Sequence, residues 1–368
     1  MIHRLFRHLM LAPDADPAAN PRAAADGVPG AMRAQRVPPE LYLAAAVRLV
    51  SQSLPDREVA ARRLLANASE HGIDFANTFA TIDHAQPRLI DRVRQVCLLV
   101  PGSGRTAMMF VSEPNPTSVA GGGGDAGGNS IAYAERVACV RAACEHAERE
   151  MAATVRLFQA LPEPGDTWLI GAYRGAGFLQ ISELEYLRRP RHWARRVSGR
   201  AVPSNVHFVS VADLAEHVRD AALLAALDRT YADTLDCPEL CGMRDTRDVL
   251  DSHLHTGHYD PRLWTIAMLD GEPHGCLLLS RVPEQRSCEL VYLGISPSLR
   301  GKGVASALLA RGLELPIGDG IDSITCAVDG RNTPAKTLYD RFGFRPFGRR
   351  IALVKPSGAA DPLAAAMG

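Results

Sequence analysis

The chain has 368 residues, 46% of them apolar, with 41 basic and 41 acidic side chains and therefore no formal net charge. That length suits about two domains of ~150 residues, and the charge balance argues against a dedicated nucleic-acid or polyanion binder, which carries a basic excess. Eight cysteines without disulfide-framework spacing point to a reducing compartment. No apolar run reaches the ~18 residues of a membrane span, and the opening Met1-Ile-His-Arg is too interrupted by charge for a secretory segment, so a soluble cytoplasmic protein is expected.

Residues 1–38 are rich in Ala, Pro, Asp and Gly without apolar periodicity and read as a flexible leader. Leu41, Leu43, Ala44, Val47 and Leu49 then form a helical stripe, and a second helix is expected over 56–69. Residues 95–101 and 106–112 read as two strands joined by Gly102-Ser-Gly. A glycine-rich loop follows at 121–129, then a long helix over 131–151, a strand over 154–161, a helix over 166–174 and a strand over 179–187.

Residues 188–200 hold six arginines and one tryptophan. This is either a nucleic-acid patch or a solvated linker; without a companion basic stripe elsewhere, the linker, at 191–204, is the better reading. A strand restarts at 206–211, and helices are expected over 213–235 and 246–255. Asp270-Gly271 between two apolar runs, 263–269 and 273–280, marks a hairpin. The run Leu290, Val291, Tyr292, Leu293, Ile295 is the next strand, ended by Pro297. A helix to about 315, a strand at 323–328, a helix over 333–341 and a strand at 347–354 complete the order, and 357–368 form a loose tail.

Arg300-Gly-Lys-Gly303 between a strand and a helix has two readings. It is an ordinary basic turn, or a pyrophosphate cradle in which glycines let backbone N–H groups approach phosphate and the helix dipole favours negative charge. The two halves also rhyme. Tyr173-x-x-x-Gly177-Phe178 and Tyr339-x-x-x-Gly343-Phe344 lie 166 residues apart, as do Pro190 and Pro356. The order of elements repeats too, which reads as a tandem duplication of one unit. Only the second half has the basic glycine loop; the stretch 121–129 in the first has no Arg or Lys.

Two blocks of the second half, Arg300-x-x-Gly303-x-Ala305 and Asn332-x-x-Ala335-x-x-Leu338-Tyr339-x-x-x-Gly343-Phe344, make it resemble the GNAT superfamily of acetyl-CoA-dependent N-acetyltransferases. The resemblance covers about 205–356, and 39–190 looks like a degenerate copy. The tandem layout is similar to that of mycothiol synthase-like proteins, with no acceptor-specific motif. The resemblance implies an α/β (α+β) fold of two tandem units, each a mixed, mostly antiparallel sheet flanked by helices, with the catalytic domain at 205–356. It further implies acetyl-CoA as co-substrate. Backbone groups of Leu293, Gly294 and Ile295 would pair with the pantetheine arm. Residues Arg300, Gly301, Lys302, Gly303, Val304, Ala305 and Ser306 would hold the pyrophosphate, and Asn332 would bind the pantetheine region.

Acyl transfer from a thioester needs a neutral amine and a proton for the leaving thiolate. By resemblance Tyr339 supplies that proton, with a core tyrosine as the bland alternative. Glu289 is similar in place to a general base acting through water, or is a strand-end carboxylate. Asp236 and Glu239 either attract a cationic amine or belong to a solvated loop. His253, His255 and His258 are poorly spaced for one helix face and read as surface histidines, and Cys237-x-x-x-Cys241 lacks a second ligand pair, so no metal is expected. The expected function is N-acetyl transfer to a small-molecule or peptide amine in a ternary complex. The alternative is a non-catalytic acyl-CoA-binding protein using its first unit for interactions. Neither nucleic acid nor membrane is an expected partner.

Overall fold

The structure is a computed structural model that describes residues 32–113, 131–192, 199–315 and 317–358. Nearly all of the expected leader, the glycine-rich loop at 121–129 and the tail from 359 onward lie outside the described residues, as does 193–198 within the arginine-rich stretch. The chain divides into two compact units. One takes Met1–Ile181 with Ile351–Gly368, the other Ser182–Arg350.

In the first unit the elements run β1 (Ala34–Arg36), α1 (Tyr42–Leu49), α2 (Arg57–Ala66), β2 (Thr78–Ile82), β3 (Val93–Gly102), β4 (Thr106–Val111), α3 (Ile131–Glu150), β5 (Leu157–Ala160) and α4 (Thr167–Gly175). The chain then enters β6 (Leu179–Pro190) and crosses to the second unit. There it forms β7 (Val206–Ser210), α5 (Glu216–Tyr231), α6 (Thr246–Leu254), β8 (Trp264–Leu269), β9 (Glu272–Val282), β10 (Ser287–Ile295), α7 (Val304–Leu313), β11 (Ser323–Asp329) and α8 (Thr333–Arg341). The final strand, β12 (Arg345–Pro356), carries the chain back to the first unit.

The two units share one topology. In the first, β1-β2-β3-β4-β5 is extended by the end of β12, and every described pairing is antiparallel except β4 with β5. In the second, the order β6-β11-β10-β9-β8-β7 is antiparallel except β10 with β11. These are the mixed, mostly antiparallel sheets flanked by helices that the sequence implied. The 166-residue offset maps α4 onto α8 and β6 onto β12 residue for residue.

The compact units nevertheless do not follow the repeat boundaries. Residues 184–190 of β6, from the first repeat, pair with β11, whereas 353–356 of β12, from the second, pair with β5. The segment expected as a linker from 191 begins directly at the end of this strand, and Arg191 donates to the Gly318 carbonyl.

Each unit has its own core. In the first, Phe79, Leu99, Val137 and Phe158 pack on one face of the sheet, while Leu49, Leu64, Val96 and Leu98 pack on the other. The second is built on Leu227, Trp264, Leu277, Leu308 and Phe344, and the buried Trp264 indole donates to the Leu279 carbonyl at 3.1 Å. The Asp270-Gly271 hairpin forms as expected, both residues taking positive φ (51° and 87°) as a type I′ turn requires. Helix α5 is shorter than expected. It stops at Tyr231 because Ala232 turns extended and Asp233 takes a left-handed φ of 50°. Among the described residues no helix is long and apolar enough to cross a membrane.

Candidate active site

In the second unit β10 begins as a partner of both its neighbours. Its parallel pairing with β11 covers only Ser287–Glu289 against Ser323–Thr325. The register against β9 then shifts between Leu290 and Tyr292, leaving Val291 as the extra residue of a bulge. A bulge bends its strand and strengthens the local twist. Beyond it β10 stays with β9 to Ile295, and β11 stays with β6 to Asp329. The two parallel strands therefore splay.

A cavity of about 750 Å³ opens at the splay, lined by Leu290–Ile295 on one side and by Ala327 and Val328 on the other. Gly294 fits here because a Cβ would lie 2.5 Å from the Tyr292 ring, which folds across it. The Tyr292 hydroxyl meets Thr230 Oγ1 at 2.8 Å, while Thr230 itself donates to the Leu227 carbonyl.

One end of the cavity is the N-terminus of α7. Gly301 and Gly303 both take left-handed conformations, with φ of 75° and 82°. At Gly303 a Cβ would come within 2.9 Å of the Arg200 Cβ and 3.1 Å of the Ala201 carbonyl, whereas at Gly301 it would meet nothing. No side chain caps the helix. The N–H groups of Val304, Ala305 and Ser306 precede the first intrahelical bond and point out of the helix as anion donors. Arg200 and Arg341 add positive charge to the lining, and Arg341 also donates to Ser306 Oγ at 2.5 Å.

Arg300 works differently from its sequence reading. Its guanidinium is spent on backbone carbonyls: Ile295 at 3.2 Å, Asp233 at 2.9 Å and Ala232 at 2.6 Å. It ties the end of α5 to the end of β10 and complements the negative pole of that helix. Lys302 is exposed and does not line the cavity.

The other end is formed by α8 and the loop after α5. Asn332 caps α8, its Oδ1 accepting from the Ala335 N–H at 3.2 Å. Tyr339, one turn from the helix end, lines the cavity and is buried. Burial pushes its hydroxyl pKa well above the usual value, and the Cys326, Asp236 and Tyr292 side chains add to the effect. The phenol therefore keeps its proton across the neutral range.

Its counterpart in the first unit shows the same residue put to structural use. Tyr173 is buried and donates to the Met109 carbonyl at 2.7 Å. Strand β4 pairs with β3 without any register shift, so no bulge opens that sheet.

The loop Asp233–Cys237 is bracketed by two non-glycine residues in left-handed conformations, φ 50° at Asp233 and 47° at Cys237. Asp236 lines the cavity, and its Oδ1 accepts the Asp329 N–H at 2.9 Å. Asp329 Oδ2 accepts the Cys237 N–H at 3.1 Å. Asp329 is fully buried. Burial would raise its pKa, but Arg331, which holds both carboxylate oxygens and also grips Glu239 at 2.6 Å, brings it down to about 2. Asp236 is exposed at the cavity wall, yet the protein atoms around it raise its pKa, opposed by the Asp329 N–H and reinforced by the Asp329 charge.

Of the residues singled out in the sequence, Tyr339, Asn332, Leu293, Gly294, Ile295, Arg300, Gly301, Gly303, Val304, Ala305 and Ser306 are brought together around this cavity. Glu289 is not. It sits where β10 is still paired on both edges, between Ser280 and Thr325, before the splay begins. Asp236, Arg200, Arg341 and Tyr292 join the lining. Arg200 belongs to the stretch read as a linker, and nothing local in the sequence marks it as a site residue.

A splayed parallel strand pair, a bulge at the split and a bare helix N-terminus surround one cavity, and residues 227–344 match the family model described as "Acetyltransferase (GNAT) family". This stretch of the second unit is thus similar to GNAT acetyltransferases. Among curated proteins it is similar to the mycothiol acetyltransferase of Beutenbergia cavernae, 35% identical over 91 residues, 24% of this chain and 30% of that one. It is also similar to the mycothiol acetyltransferase of Clavibacter michiganensis subsp. michiganensis, 32% identical over 198 residues, 51% of this chain and 61% of that one. In each case the chain spans less than two thirds of the relative's length. A solved GCN5-related N-acetyltransferase from Sphaerobacter thermophilus aligns with a TM-score of 0.54 over 91% of this chain and 98% of that one, at 14% identity, a likeness of fold.

Proposed function

We propose that the protein moves an acetyl group from acetyl-CoA to an amine acceptor by direct attack within a ternary complex, with a single active site in the second unit. The observation that carries this reading is the coincidence, in one cavity, of the β10–β11 splay, the uncapped start of α7 and the Tyr339 phenol. The pantetheine arm would lie along the free edge of β10 beyond the bulge, adding hydrogen bonds as an extra strand does. The N–H groups from Gly301 to Ser306 would face the pyrophosphate, flanked by Arg200 and Arg341. Asn332 would border the pantetheine.

Tyr339 would protonate the departing thiolate. Holding both substrates in one cleft makes the attack effectively unimolecular. The first unit has kept the fold without the bulge in its β4 strand, which supports one site per chain. The relatives' names place them in mycothiol chemistry, so an aminothiol-sugar is the first acceptor to assay beside simpler amines.

The test is release of free thiol from acetyl-CoA by the full chain, across amino sugars, amino-acid amides and short peptides. Transfer to at least one amine is expected, falling roughly 10²–10⁴-fold in kcat for Tyr339→Phe with CoA affinity retained. Tight CoA binding without transfer to any amine would refute catalysis and leave an acyl-CoA-binding protein.

A further inference from the structure

An amine reaches neutral pH as an ammonium ion and must lose a proton before it can attack. The strand carboxylate expected for that task, Glu289, lies outside the cavity. A second carboxylate lies inside it.

We infer that Asp236 is the group that binds the acceptor's ammonium ion and takes its proton, presented to the cavity by the backbone N–H of Asp329. The inference rests on the acetyltransferase reading above and assigns its acceptor as a cationic primary amine.

Three features of the structure carry it. Asp236 lines the same cavity as Tyr339, and the two side chains are close enough for the Asp236 charge to act on the phenol. Only one of its carboxylate oxygens is occupied by the protein: Oδ1 accepts from Asp329, and Oδ2 has no partner among the described residues. Its loop is held rather than loose. Asp329 accepts the next residue's N–H, and Arg331 clamps Asp329 to Glu239.

A carboxylate oxygen left open in a cavity that Tyr292 also lines suits a cation. Tyr292 lines the cavity, backed edge to face by Tyr231 with centroids 5.8 Å apart. Aromatic faces attract ammonium groups.

The step balances as follows. The acceptor ammonium gives one proton to Asp236 Oδ2 and becomes a neutral amine. Its nitrogen bonds to the acetyl carbonyl carbon, and the carbon–sulfur bond breaks with its electron pair on sulfur. Tyr339 protonates the thiolate, and the second proton shed by the nitrogen restores the phenol. The products are an amide and free CoA thiol; Asp236 returns its proton to water.

The groups facing Asp236 are Asp329 and Cys326 on β11, Tyr292 on β10, Tyr231 on α5, Tyr339 on α8 and Cys237 in its own loop. Of these only Asp329 carries charge near neutrality, and Arg331 keeps it ionised throughout the working range. An acidic limb in the rate profile therefore reports Asp236.

The experiment measures thiol release against pH for the full chain, using the primary amine that the wild type acetylates fastest. Asp236→Asn should lower kcat/KM for the amine roughly 10²–10⁴-fold and abolish the acidic limb, with the dissociation constant of CoA by calorimetry changed less than about twofold. Asp236→Glu should restore part of the rate and displace the limb, and it decides the matter if the asparagine variant does not fold.

Asp236→Asn turning over near the wild-type rate, or keeping the limb, overturns the assignment, as does loss of the limb in Glu289→Gln alone. No transfer by the wild type to any amine overturns the acetyltransferase reading itself, and the assignment with it; an active wild type with an unaffected Asp236→Asn overturns only the assignment.

Discussion

The turn between β10 and α7 makes a comparison that isolates one close contact. Gly301→Ala and Gly303→Ala each force a β-carbon into the left-handed region, which costs an L-residue roughly 1–2 kcal/mol. Both also stiffen the unfolded chain by a similar amount, about 0.4–1 kcal/mol in the opposite direction. These contributions cancel in the difference between the variants.

What remains is space. The Gly301 Cβ meets nothing within 4 Å, whereas the Gly303 Cβ would sit 2.9 Å from the Arg200 Cβ and 3.1 Å from the Ala201 carbonyl. Backbone cannot swing aside as a flexible side-chain tip can, so overpacking of about 1–3 kcal/mol applies. Gly303→Ala should therefore be less stable than Gly301→Ala by about that amount, or roughly 2–12 °C in melting temperature at 2–4 °C per kcal/mol. The measurement is thermal unfolding of both variants and the wild type without CoA, followed by CoA titration. Gly303→Ala should also bind CoA more weakly, because α7 must shift to relieve the clash. Equal melting temperatures for the two variants would refute the reasoning.

Further outcomes are expected elsewhere. Tyr173→Phe removes the donor to the Met109 carbonyl in the first unit and should cost about 1–3 kcal/mol by leaving a buried acceptor unpaired, with acetyl transfer unaltered; lost transfer would place a second working site there. Arg300→Lys keeps the charge but not the fork that reaches four carbonyls, so the melting temperature should fall; an unchanged melt would mean that the charge alone matters. Burial and Arg244 lower the His253 pKa to about 4. The unfolded histidine, at about 6.5, takes up its proton first, so His253 subtracts stability progressively as pH falls from about 6.5 towards 4. His253→Phe should flatten stability across that window; an unchanged slope in chemical denaturation would exclude His253 as its source.

Much of the fold is legible in the sequence because its punctuation is chemical. Asp270-Gly271 specifies its turn, Asn332 starts α8, and Gly177 and Gly343 supply the left-handed residues after α4 and α8. The strand β2 was not legible: Thr78–Ile82 is five residues long and buried throughout, so it lacks the alternation that marks a half-exposed strand. Period-two patterning also says which face of β6 is buried but not which neighbour it pairs with, and the crossing of the final strands is invisible for that reason.

At the site, glycines and Tyr339 could be read because each imposes a local requirement. The carbonyl partners of Arg300 could not be read, because a charge beside a helix start serves a phosphate or a neighbouring helix end with the same sequence. Arg200 and Asp236 enter the cavity from loops whose place is set by distant partners, Ala307 packing against Gly199 and Asp329 bonding to Asp236.

The crossing of β6 and β12 has a genetic consequence. Gene fragments split at the repeat boundary would encode two polypeptides that each hold the closing strand of the other's sheet. Neither would fold to completion alone, and mixed together they should reassemble as complementing halves. A duplicated gene that drifted into this arrangement could no longer shed either copy without removing a closing strand. The first repeat thus encodes the strand on which the second unit's sheet ends.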